Sequence, residues 1–193
     1  ESLTVKEIIL SGEKRIMLVG DSITVGLYDE NTNGYRAYLY DKLQNNGFNI
    51  DFVGPSGFHP YEGHFDGGRR INAFFPRSLG GTAYYDVTGS MDTYQPNIVA
   101  IHLGTNDINN GETAGPYQIG GNFTATIGGS MGKLVNYLLQ WHNGGRSTDL
   151  EKIIVSLIVP AKKLDSLAFE ANKEIAKVVS AFQTGAITGH NEP

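Results

Sequence analysis

Cysteine is absent from the 193 residues, which excludes disulfide staples and thiolate chemistry within them. Long apolar runs are missing too: the longest span about five residues against the roughly 20 needed to cross a bilayer. No signal-type apolar segment opens the chain, so no membrane partner is expected. Positive charge is sparse, with 15 Lys and Arg against 20 Asp and Glu for a formal charge of −5. Its scatter along the chain leaves no electrostatic footprint for nucleic acid. Paired His or carboxylate spacings that suit zinc or an EF-hand are lacking, so neither metal nor cofactor is expected. Residues 20–26 lack the lysine and glycine positions of a P-loop.

What is present is the composition of an ordinary globular domain, 40% hydrophobic and 18% charged, long enough to bury a core without staples. Glycine is abundant at 25 residues, well above the average share of about 7%, which points to many tight backbone positions. The first residue, Glu1, fits a mature secreted chain or a trimmed one. An extracellular location is the expectation, with the cytoplasm left open.

Apolar periodicity organises the chain. Residues 15–20 form a short continuous apolar run closed by glycine, as does a strand buried on both faces. Residues 35–46 place Leu39 and Leu43 four apart before Gly47 and predict a helix. Residues 48–52 and 97–103 read as strands, and 123–139 as a helix despite Gly128, Gly129 and Gly132. Residues 153–159 read as a strand stopped by Pro160, and Ala168, Ala171, Ile175, Val178, Val179 and Phe182 form the stripe of a last helix. Strands alternating with helices predict one α/β domain, a three-layer α/β/α sandwich around a parallel sheet. Such sheets place their sites beyond the strand carboxyl ends, here after Val19, Val53, Leu103 and Val159. Residues 54–89 lack clear periodicity and are too long for a bland connection, so they read as functional loop with short helical pieces.

Two of those strand ends carry chemistry. Gly20-Asp21-Ser22-Ile23-Thr24 puts a serine on a tight strand-to-helix turn, where it is either a nucleophile or the cap of the next helix. Gly104-Thr105-Asn106-Asp107 follows another strand and offers a carboxamide donor to the same crevice. Together with a glycine block between them, these motifs resemble the SGNH (GDSL-type) hydrolase family. Within it, Tyr61-Glu62-Gly63-His64 followed by Phe65-Asp66-Gly67-Gly68-Arg69-Arg70-Ile71 is similar to the Glu-Gly-His-x-Gly stretch of carbohydrate esterase family three, the acetyl xylan esterases and their relatives. Ile50-Asp51-Phe52-Val53-Gly54 is similar too.

The resemblance implies the flavodoxin-like fold of that family, with Ser22 as nucleophile. It implies an oxyanion hole made by the backbone N–H groups of Ser22 and Gly68, with Gly67 as the alternative glycine, and the Asn106 amide. Asp21 and Asp107 adjoin the site as supports. His64 and Tyr61 are candidate substrate contacts, and His64 is also a candidate substitute base. The aromatic set Tyr61, Phe65, Phe74, Phe75, Tyr84 and Tyr85 either stacks on sugars or packs the core.

The family's base is a histidine in an Asp-x-x-His block, and no such block occurs here. His190 lies nearest the family position, but Ile187 stands three residues before it. His102 reads as a hydrogen-bonded core residue and His142 as a helix-end residue. The last strand, the base and the closing helix are therefore expected beyond Pro193, which would leave a sheet edge open. The implied function is removal of acetyl or other short acyl groups from a polysaccharide such as xylan, or from a small ester. A lipolytic esterase or thioesterase, and a sugar-binding domain that has lost its base, are the alternatives. Asn122-Phe123-Thr124 also matches the glycosylation pattern.

Overall fold

The computed structural model describes residues 12–27, 29–76, 85–116, 126–146, 149–160 and 165–184. Five strands, all parallel, form one sheet: β1 (Lys14–Gly20), β2 (Ile50–Phe52), β3 (His64–Phe65), β4 (Ile98–His102) and β5 (Lys152–Val155) run in the order β2-β1-β4-β5. The short β3 pairs with the carboxyl end of β1, Val19 against His64 and Gly20 against Phe65. On the other side of β1, Gly20 lies opposite His102 of β4. Gly20 is thus flanked by two strand ends, and whatever follows β1, β3 and β4 must meet at one place.

The alternation of β1 explains both layers. Met17 and Val19 face a core built with α3 (Val87–Tyr94), α5 (Ile127–Trp141) and α6 (Asp165–Gln183). Ile16 and Leu18 face Tyr35, Leu39, Tyr40 and Leu43 of α2 (Tyr35–Asn45). With helices on both faces, β1 is buried from Ile16 to Gly20, which is why it reads as a continuous apolar run. Ile154 of β5 pairs with Ala100, partly buried beside the α2 core, and is itself exposed among the described residues.

One difference from the sequence reading and two agreements have local causes. The strand expected over 153–159 stops at Val155 because Ile158 leaves the ladder for a side chain. Its N–H donates to Asn172 Oδ1 at 2.7 Å, and its carbonyl accepts from Asn172 Nδ2 at 2.9 Å. The glycine-rich helix α5 is tolerated because Thr126 caps it, its hydroxyl accepting from the Gly129 N–H at 3.1 Å. A Cβ on Gly128 would also collide with the Gly115 carbonyl, so the glycine permits a close approach. Within the long loop lie β3 and a 3-10 turn over Ile71–Phe74, and α3 starts before its end. Residues 117–125, which hold Phe123 and the Asn122 pattern, lie outside the described residues.

Candidate active site

Ser22 follows β1 with one intervening residue, and it does not cap the helix. Asp21 does so: its carboxylate accepts from the Ile23 N–H at 3.0 Å and opens α1 (Ser22–Val25). Gly26, at φ 78°, closes α1, with the Gly26 and Leu27 N–H groups both donating to the Ser22 carbonyl at 3.1 Å. Gly20 has to be glycine, since a Cβ there would collide with Thr24 Oγ1. With capping assigned to Asp21, the half-buried Ser22 has no hydrogen-bond partner for its hydroxyl among the described residues. That leaves the oxygen free for chemistry.

Asn106 lies in α4 (Thr105–Asn109), which begins as β4 ends. Gly104 makes the bend at φ 121°, and a Cβ there would sit 2.6 Å from Ile158 Cδ1. The Asn106 amide donates to Asp21 Oδ2 at 3.3 Å and to the Arg69 carbonyl at 3.0 Å. One carboxamide therefore joins the serine block, the asparagine block and the loop that leaves β3. That loop starts beside Gly20, with the Asp66 N–H donating to the Gly20 carbonyl at 3.2 Å. Gly67 lies against Leu27, and its N–H helps hold the Asp66 carboxylate. Gly68, at φ 74°, is exposed, and a Cβ there meets nothing within 4 Å. Its backbone angle rather than crowding favours glycine.

Two carboxylates brace this junction. Asp21 is 0% exposed. Burial raises its pKa, opposed by the Ile23 N–H and by His102. Asp107 is also 0% exposed, and both its oxygens accept from the Ile71 N–H at 3.2 Å. Burial first, then the neighbouring Glu112 carboxylate, push Asp107 up to about 7. Glu112 in turn accepts from Arg70 Nη1 at 3.0 Å. The glycine loop is thus tied down at Arg69, Arg70 and Ile71 by three residues of the asparagine segment.

One sequence expectation needs correction. His64 does not reach the surface: it is 1% exposed, edge-on to Phe74 at 5.4 Å, with neither ring nitrogen hydrogen-bonded. Its place inside β3 turns it into the core, and burial, opposed by Asp86, lowers its pKa to about 4. As a substrate contact or base it is ill placed. Tyr61 is half-buried, with its ring edge-on to Tyr40 at 5.7 Å and its carbonyl accepting from Arg36, which leaves part of the residue open to solvent. Among the other rings, Phe65, Phe74 and Phe75 are buried, Tyr85 stands at the loop rim, and Tyr84 lies outside the described residues.

His102 lies under Tyr35, ring centroids 6.1 Å apart, with Nδ1 unpaired. Burial lowers its pKa against the pull of Asp21. No histidine among the described residues is hydrogen-bonded to Ser22, and His190 and Ile187 fall outside them.

Sequence reasoning missed Arg36. It is 2% exposed and donates from Nε to the Thr24 carbonyl at 2.7 Å, from Nη2 to Val25 and Thr32, and from Nη1 to Tyr61. The guanidinium also lies 4.1 Å from the Phe65 ring centroid. Nothing in the local pattern of α2 marks this arginine as buried, because its acceptors are backbone carbonyls of distant turns.

Residues 16–188 match the family model of GDSL-like lipase/acylhydrolases. A multidomain esterase of Ruminococcus flavefaciens is 34% identical over 123 residues, which are 54% of this chain and 16% of that protein. The chain therefore spans only a small part of that relative. The family 3 carbohydrate esterase of Clostridium thermocellum has a similar fold, with a TM-score of 0.68 at 21% identity over 92% of this chain and 76% of that one. The corresponding figures for a carbohydrate esterase family 3 structure from Talaromyces cellulolyticus are 0.60, 24%, 86% and 72%.

Proposed function

The chain belongs to the GDSL-like lipase/acylhydrolase family, and on that premise we propose that it is a serine ester hydrolase that removes acetyl groups from a carbohydrate such as xylan. The observation that carries this reading is the Asn106 amide, bonded at once to Asp21 beside Ser22 and to Arg69 beside Gly68. It ties together the segments that carry the Ser22 hydroxyl and the three candidate oxyanion donors.

In this reading Ser22 Oγ attacks the acyl carbon, and its proton passes to a base supplied from outside the described residues. The negative charge that develops on the acyl oxygen is met by the Ser22 and Gly68 N–H groups and by Asn106 Nδ2. Collapse of the tetrahedral adduct breaks the ester bond, releases the alcohol and leaves an acyl-Ser22, which water then cleaves through the same donors. Asn106 is held in place before substrate arrives. The longer of its two bonds, to Asp21 at 3.3 Å, is the one an oxyanion would share.

A short acyl group is favoured by the resemblance of residues 61–71 to the motif of carbohydrate esterase family three. The apolar groove of about 310 Å³ among the described residues is lined by Val135, Leu139, Leu150, Ile153 and Phe182, none of them in the three motifs. That Ser22 has no histidine bonded to it among the described residues favours a second reading, a carbohydrate-binding domain without turnover.

Labelling the chain with a fluorophosphonate separates the two. Stoichiometric labelling that disappears in Ser22→Ala supports the hydrolase, and no labelling of the full-length protein overturns it. Faster cleavage of nitrophenyl octanoate than of nitrophenyl acetate would overturn the short-acyl assignment.

A further inference from the structure

Asp66 and Arg69 bracket the two glycines of the candidate oxyanion loop, and Tyr85 joins them in a closed ring of hydrogen bonds. Arg69 Nε donates to Asp66 Oδ2 at 2.6 Å, Arg69 Nη2 donates to the Tyr85 hydroxyl at 2.9 Å, and that hydroxyl donates to the same Asp66 oxygen at 2.6 Å. The guanidinium also stacks on the Tyr85 ring, 4.5 Å from its centroid. The Arg69 backbone is fastened to Asn106, yet its side chain is 42% exposed. A guanidinium held in this way, on the residue whose carbonyl binds Asn106, has its orientation already set.

An arginine has five N–H donors and no acceptor. The ring uses Nε and one N–H of Nη2, the side edge of the fork. The remaining three, both on Nη1 and the second on Nη2, have no partner among the described residues. This end edge is a parallel pair of donors, the arrangement that takes a carboxylate through two bonds. A sugar hydroxyl fills one such donor; a carboxylate fills both. Because the ring and the stacking have already removed the rotamer freedom of a long side chain, little is lost when a ligand docks. At the other end of the glycine pair stands the apolar Leu27, so the loop has an apolar end and a donor-rich end.

We propose that the outer edge of Arg69 is a subsite for a carboxylate carried by the alcohol half of the substrate, which makes the preferred ester that of an acidic, uronate-bearing carbohydrate. This rests on the reading of Ser22 as the nucleophile of a carbohydrate esterase, and it adds the charge of the glycan to be recognised.

The test is an NMR titration of the full chain with a glucuronate-bearing xylo-oligosaccharide and with the neutral xylo-oligosaccharide of equal length, at low and high salt. The acidic ligand is expected to bind about tenfold more tightly at low salt and to lose that advantage as salt screens it. Arg69→Gln is expected to abolish the difference, and Tyr85→Phe, which opens the ring but keeps the fork, to reduce it. Equal affinities, no binding of the acidic ligand at millimolar concentration, or a preference that survives Arg69→Gln overturns the proposal. The comparison of ligands on the unaltered chain needs no variant to fold. Fluorophosphonate labelling of Ser22 reports separately on the hydrolase reading: labelling without acid preference defeats only the subsite, and acid preference without labelling defeats only the hydrolase.

Discussion

Asn106 donates its side-chain amide to the Asp21 carboxylate across 3.3 Å, although 85 residues separate the two along the chain. The bond is possible because β1 and β4 are neighbours in register, Gly20 opposite His102, so that the turns leaving them face each other. It gives the buried Asp21 a second donor beside the Ile23 N–H, and it keeps Asn106 aimed at the turn that carries Ser22.

Asn106→Ala is therefore expected to lower acyl transfer by ~10²–10³, the usual effect of removing one oxyanion donor. It should also destabilise the fold by about 1–3 kcal/mol, since the Asp21 carboxylate and the Arg69 carbonyl each lose a partner. Nitrophenyl acetate turnover and urea unfolding check the two effects. An unchanged rate in a destabilised variant would reduce Asn106 to a strut.

Asp107 gives a pH dependence of definite sign. Its ordinary value is 3.8, and in the folded chain burial and Glu112 push it up to about 7. The unfolded chain releases this proton near pH 4 and the folded chain near pH 7, so the group lowers stability progressively as pH rises through that window. Asp107→Asn keeps an acceptor for the Ile71 N–H and removes the charge. Its unfolding midpoint relative to the parent is expected to climb between pH 4 and 7, whereas Asp107→Ala should fall below the parent by about 1–3 kcal/mol.

His64 acts in the opposite direction. Burial lowers it from 6.5 to about 4, so the unfolded chain takes up a proton first as pH falls from 6.5. The stability contributed by keeping the ring neutral is lost between pH 6.5 and 4. His64→Phe, which retains an aromatic partner for Phe74, should flatten that slope in thermal scans. It should leave carbohydrate affinity unaltered; weakened affinity would restore His64 as a substrate contact.

Arg36→Met should be among the most damaging single changes. It strips donors from the carbonyls of Thr24, Val25, Thr32 and Tyr61, and several buried acceptors left unpaired together amount to more than about 3 kcal/mol. Because two of those carbonyls belong to α1 and its boundary with Gly26, Ser22 labelling should slow even under conditions where the variant is folded. Denaturant titration and labelling rates measured side by side check this. Arg36→Lys, with a single point of donors, should recover only part of either loss.

The elements that the sequence makes legible are those whose partners lie on both sides of a short segment. Residues 16–19 are apolar throughout because each face of β1 meets a helix layer, and α6 shows its stripe because one face alone is buried. The serine and asparagine blocks are legible for a related reason, as each is a tight turn whose glycine, Gly20 or Gly104, is demanded by local crowding. The end of β5 was not legible, because Asn172 of a later helix takes over the hydrogen bonds of Ile158.

Periodicity reports which side of an element is buried, and residue types report which groups can donate, accept or attack. Both are properties of a few consecutive residues, so the amino-acid order determined the α/β alternation and the parallel sheet, and the resemblance of its blocks to the GDSL-type family made candidates of Ser22, Gly68 and Asn106. Tertiary structure decided which polar groups meet. It sent His64 inward, made Asp21 rather than Ser22 the helix cap, buried Arg36 among four carbonyls and closed the Asp66–Arg69–Tyr85 ring. Hydrogen bonds and carboxylate charges act over a few ångströms in space, and which side chains come within that reach depends on the register of β1, β3 and β4, not on their distance along the chain.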